Sequence, residues 1–76
     1  MKTMDKDDFF LITKRCWNLK GFSFNRTLSS EDRGDLYNTY FKIAENAGYD
    51  SYIYVRALVK YQDIFLNPVE YMNRTR

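Results

Sequence analysis

The side chains that do chemistry in proteins are scarce in this chain, and their spacing assembles no reaction centre. There is no histidine, which removes the usual general base, the commonest metal ligand and the middle member of most nucleophilic triads. The single cysteine, Cys16, has neither a histidine to activate it nor a second cysteine to pair with. An unpaired cysteine on an apolar helical line reads as a core residue. The carboxylate pairs Asp7/Asp8 and Glu31/Asp32 each fall in the first turn of an expected helix, where the helix dipole alone favours acids. Asp35, Glu45 and Asp63 would converge on a divalent cation only by chance. Phosphate-cradling glycine loops and zinc-ligand spacings are absent from the sequence. The expectation is therefore a non-enzymatic chain with no catalytic residue, no metal site and no cofactor.

Binding is the alternative to catalysis, and two constellations bear on it. Ala44 followed four residues later by Gly48 has the spacing of a helix-turn-helix, the glycine making the turn and the alanine letting the second helix approach. On that reading Ser51, Tyr52, Arg56 and Lys60 face a DNA groove, with Arg56 able to reach guanine and Lys60 a phosphate. Against it, the apolar position expected soon after the turn falls on Tyr54, and short connections usually join antiparallel neighbours in a plain helical hairpin. The second constellation is an aromatic surplus: seven tyrosines, six phenylalanines and one tryptophan exceed what so small a core can hide. Core filling accounts for Phe10, Trp17, Phe41 and Phe65. Tyr49, Tyr52, Tyr61 and Tyr71, interleaved with Arg56, Lys60 and Arg74, are left to form a half-exposed surface of the residue types enriched at protein-interface hot spots. The same mixture suits single-stranded RNA, where bases stack on aromatics beside cations.

Composition narrows the partners without naming one. Twelve basic against ten acidic residues give a net charge of +2, far short of the basic signature of a dedicated nucleic-acid binder. Lys, Asn, Tyr, Phe and Ile supply 29 of the 76 positions, the mark of an A/T-rich genome. Small size and this composition fit a bacteriophage or other mobile-element accessory protein. The leading expectation is thus a phage-encoded chain that binds and modulates or inhibits a larger host protein, with a helix-turn-helix-like nucleic-acid-binding regulator as the rival. Self-association through exposed tyrosines is a further option. No apolar run approaches the roughly 18 residues that cross a bilayer, and the charged opening residues 1–8 do not resemble a signal peptide, so the expected setting is the cytoplasm, without membrane contact.

The elements that must carry these residues are helical. Seventy-six residues allow one core, because a chain this short buries only about 60% of its unfolded surface. An apolar fraction of 45% is enough to fold it. Phe9, Ile12, Cys16 and Leu19 recur at helical spacing, and Gly21 is placed as a left-handed stop. Ser29-Ser30-Glu31-Asp32 has the form of a capping box, leading into a line of Leu36, Tyr40, Ile43 and Ala47. Asp50 or Ser51 can cap a third helix with Tyr54, Leu58, Tyr61 and Phe65 on one face, although Ile53 and Val55 make its start locally strand-like. Asn67, Pro68 and Glu70 open a last short helix, with Leu66 placed to staple onto Tyr71.

Together these readings predict an all-α fold: a three-helix bundle over about 6–19, 30–47 and 51–65, with a short fourth helix at 68–73. One helical domain spans 1–76, with residues 1–5 and 73–76 frayed. Residues 21–28 form a loop in which Phe22 or Phe24 plugs the core. The core should hold Phe9, Ile12, Cys16, Leu36, Tyr40, Ile43, Ala47, Leu58 and Phe65. The stretch Lys6-Asp7-Asp8-Phe9-Phe10-Leu11-Ile12-Thr13-Lys14-Arg15-Cys16 resembles the first helix of the small Hha/YmoA nucleoid modulators, which are helical and bind another DNA-binding protein. That likeness covers about ten residues, then lapses, and assigns no family.

Overall fold

Apolar residues at helical spacing, separated by capping signals, become five helices in the computed structural model, which describes residues 2–24 and 27–74. Met1, Asn25, Arg26, Thr75, Arg76 and the Arg74 side chain lie outside the described residues. The helices are α1 (Lys6–Lys20), α2 (Ser30–Asn46), α3 (Ser51–Lys60), α4 (Gln62–Leu66) and α5 (Pro68–Arg74). No strand occurs among the described residues, so the fold is all-α and the strand-like opening of α3 is helical.

Capping chemistry sets the starts of α1 and α2, whereas Asp50, the residue before α3, makes no side-chain capping bond. The Asp5 carboxylate accepts the Asp8 amide at 2.8 Å and the Ser29 hydroxyl accepts the Asp32 amide at 3.2 Å, each satisfying a donor that the first turn cannot pair. Gly21 ends α1 at φ 73°, and Gly48 turns the chain between α2 and α3 at φ 91°, conformations that side chains with a Cβ rarely adopt. Nζ of Lys2 donates to the carbonyl of Ala47 at 2.6 Å, and Met4 packs on the core. Residues 2–5, expected to fray, are thus held against the turn between α2 and α3.

The core is an aromatic cluster between α1, α2 and α4. Phe9, Cys16, Trp17, Leu36, Tyr40, Ala44 and Phe65 are fully buried, with Ile12, Ala57 and Ile64 nearly so. The Phe9 ring lies 5.5 Å from those of Tyr40 and Tyr61 and 6.1 Å from that of Phe65. Its polar atoms are paired: Trp17 Nε1 donates to the Phe65 carbonyl at 3.1 Å, Thr13 Oγ1 to the Phe9 carbonyl at 2.9 Å, and Tyr40 Oη to the Tyr54 carbonyl. Leaving any of these buried groups unpaired would cost about 1–3 kcal/mol. Phe22 and Phe24 both pack edge-on to Trp17, at 6.2 and 6.1 Å, so the loop contributes two plugs rather than one.

Three expectations are corrected. Ala47 is exposed, because α2 ends at Asn46 and the alanine buried beneath the turn is Ala44, one turn earlier. Ile43 and Leu58 are half-buried at the margin of the core rather than inside it. The expected third helix is two helices: Tyr61, at φ −114° and ψ 29°, separates α3 from α4. No glycine or proline marks the break. Its cause is tertiary, since α3 packs on α2 whereas α4 packs on α1, and the bend lets Ile64 and Phe65 reach the Phe9–Trp17 side of the core.

Candidate functional site

Apolar side chains that the fold leaves in water are the most informative feature of the surface, because scattered single ones are ordinary and grouped ones mark binding sites. Leu11 and Leu19 of α1 and Met72 of α5 are exposed as well, but α3 groups three on one helix. Tyr52, Val55 and Val59 are 66%, 43% and 74% exposed, and their spacing of three and four places them on one stripe. The opposite face of the helix, with Ala57 buried and Tyr54 and Leu58 half-buried, meets the core. Both faces of α3 are therefore apolar, and only one is covered.

The flanks of the stripe differ. On one side a groove of about 540 Å³ runs past Arg56, Lys60 and Tyr61, with Thr3 and Met4 of the N-terminal segment on its far wall. Arg56 is held in place: its Nη1 donates to the Tyr52 hydroxyl at 2.7 Å and its guanidinium lies 5.4 Å from the ring centre. Lys60 Nζ sits 5.3 Å from the centre of the Tyr61 ring. On the other side a smaller groove of about 290 Å³ is lined by Tyr37, Phe41, Leu58, Val59 and Gln62. Its aromatic wall is anchored from beneath, as Tyr37 stacks on Phe65 at 5.3 Å and Phe41 packs on Tyr54 at 5.8 Å.

Of the partner-binding residues read from the sequence, the fold brings Tyr52, Arg56, Lys60 and Tyr61 along one groove. Tyr49 and Tyr71 sit elsewhere. Lys2 Nζ lies 4.5 Å from the centre of the Tyr49 ring. Tyr71 packs on Phe10 at 4.6 Å and donates its hydroxyl to Asp7 Oδ1 at 3.3 Å. Partial burial first, and then the acids at the start of α1, raise the pKa of both phenols. The residues of the nucleic-acid reading, Ser51, Tyr52, Arg56 and Lys60, are all exposed on α3. Sequence reasoning missed Val55, which with Ile53 suggested a strand, and Val59, which it assigned no role. The signal that could have found them is that they continue the Tyr52 line on the side of the helix opposite Ala57.

Cys16 is fully buried, and burial pushes its thiol up to about 12, so it is held as the unreactive neutral form. Among the described residues no group of three or more Cys, Asp and Glu side chains is placed to hold a metal ion, and no helix is long and apolar enough to cross a membrane. Compared with known proteins, the chain matches no family model, no curated protein and no solved structure.

Proposed function

We propose that the protein is a small non-enzymatic accessory protein, phage-encoded, that binds and modulates a larger host protein through the outer face of α3. The observation that carries this reading is the exposed stripe of Tyr52, Val55 and Val59 beside Arg56 and Lys60. Tyrosine and arginine concentrate binding energy at interfaces, and apolar neighbours exclude water around them. The test is affinity capture with the wild-type chain and with a Tyr52→Ala/Val59→Asp variant. Both positions are exposed, so circular dichroism and the melting temperature should match the parent. A host protein retained by the wild type and lost by the variant supports the reading; equal retention by both sinks it.

The rival reading has its own observation, since Arg56 and Lys60 stand one turn apart on a helix that contains no acidic residue. A nucleic-acid site there predicts affinity for duplex DNA or single-stranded RNA that falls steeply between about 50 and 200 mM salt. The most exposed side chain of the face is Val59, at 74%, which offers nothing to a phosphate. The protein-binding reading is favoured on that ground.

A further inference from the structure

We infer that the occupant of the α3 face is an amphipathic helix of the partner protein whose edge over Arg56 and Lys60 is acidic. The inference rests on the docking role proposed above and adds the shape and charge of what docks. The shape comes from the ridge and its two grooves. A helix of ten residues, Ser51–Lys60, is about 15 Å long, and its exposed ridge rises between a groove on the N-terminal segment and one on α2. Ridges of side chains seated in such grooves are how helices pack on helices. Addition of a strand would instead need an open sheet edge, and no strand exists among the described residues.

The charge comes from an asymmetry between the flanks. Both cations of α3, Arg56 and Lys60, border the groove that also holds Thr3 and Met4. The other groove is walled by Tyr37, Phe41 and Leu58 and contains no charged residue. A docked helix therefore needs carboxylates along one edge, about one turn apart to meet residues spaced by four, and apolar residues along the other. Arg56 is pre-oriented by the Tyr52 hydroxyl at 2.7 Å, which lowers the ordering cost of pairing it.

The same charges argue against a second copy of the chain. Arg56 lies midway along α3 on its basic flank, so an antiparallel two-fold pairing of α3 with itself would set Arg56 against Arg56, and like charges across an interface oppose association. A bilayer fits the face poorly as well, because a planar surface cannot enter grooves on either side of a ridge.

The experiment uses the full-length protein, isotope-labelled, and two synthetic helical peptides that share one apolar stripe and differ only along one edge, glutamate in the first and lysine in the second. The expected result is that the glutamate peptide shifts amide resonances of α3 and of the Tyr37–Phe41 stretch and binds about tenfold tighter than the lysine peptide. Tenfold corresponds to about 1.4 kcal/mol. An Arg56→Glu/Lys60→Glu variant should reverse the order of the two peptides, and Val59→Asp should abolish binding of both. Equal binding of the two peptides at α3 would overturn the acidic helix while leaving the docking face intact. Failure of both peptides to move α3 resonances would overturn both readings. Shifts at α3 on adding single-stranded RNA or anionic vesicles instead, or concentration-dependent dimerisation that buries α3, would replace the acidic helix with that occupant.

Discussion

At the scale of single residues the core is notable for pairing its buried side-chain polar atoms among the described residues, and Cys16 ties that burial to pH. Burial moves its thiol from an ordinary 9.0 to about 12, so the folded protein holds the thiol proton more tightly than the unfolded chain does. A group raised in this way contributes stability that is complete below the unfolded value and is lost as pH rises towards the folded one. Unfolding free energy should therefore begin to fall near pH 9, before the tyrosines, whose ordinary value is 10.0, add their own losses. Burial raises Tyr40 in the same sense, so the decline should steepen above that point. Denaturant titrations at pH 8, 9 and 10 check this, with Cys16→Ala as the control. The variant's midpoint will be lower at every pH because of the cavity, but its slope between pH 9 and 10 should be flatter than the parent's. Parallel slopes would mean that the thiol is not desolvated. That Cys16 belongs in the core was legible from its place on the line of Phe9 and Ile12. The partner of the neighbouring Trp17 was not legible, because its N–H reaches a carbonyl 48 residues away and no local pattern encodes that pairing.

At the scale of elements, helix termini set by local signals were readable, and the one set by packing was not. Ser29 and Gly21 behave as their types require, whereas the break at Tyr61 interrupts an unbroken apolar periodicity and exists only because α4 turns to meet α1. The exposed stripe of α3 was hidden for a related reason: Val55 and Val59 look like core residues until the opposite face of the helix is known to be buried. Two measurements test the elements directly. Gly34 lies inside α2 with nothing within 4 Å of where a Cβ would stand, so Gly34→Ala should stabilise the protein by about 0.5–1 kcal/mol. For a domain of this size that raises the melting temperature by about 2–8 °C; a fall would show that α2 needs flexibility at that point. Leu36 and Leu58 separate core from margin. Leu36 is fully buried and Leu58 half-buried, so Leu36→Ala should cost about 3–5 kcal/mol and Leu58→Ala nearer 2 kcal/mol, as read from shifts in the denaturant midpoint.

At the scale of the whole molecule both ends of the described chain are drawn onto the helices, and that bears on how it unfolds. The N-terminal segment is tied to the turn after α2 by Lys2 and to Tyr40 through Met4, whose sulfur lies 3.5 Å from the hydroxyl. Helix α5 is tied to the start of α1 by Tyr71 on Phe10 and Asp7. Trp17 then joins the pieces, touching Phe22 and Phe24 of the loop and donating to α4. A chain cross-linked in this way should lose its parts together, since few contacts can break without exposing the Phe9 cluster that they share. Unfolding followed by Trp17 fluorescence and by far-ultraviolet circular dichroism is therefore expected to give coincident curves in urea, as two-state behaviour requires. A Met4→Ala variant should move both curves to lower urea by the same amount, while Val59→Asp, on a side chain 74% exposed, should move neither. Fluorescence lost ahead of helicity would mean that the α1–α4 contact opens first and that α3 is carried on a separately melting C-terminal part. The docking face would then be presented by a loosely held element, and its affinity for any partner would rise with stabilisers of the α1–α4 contact rather than with changes on α3 itself.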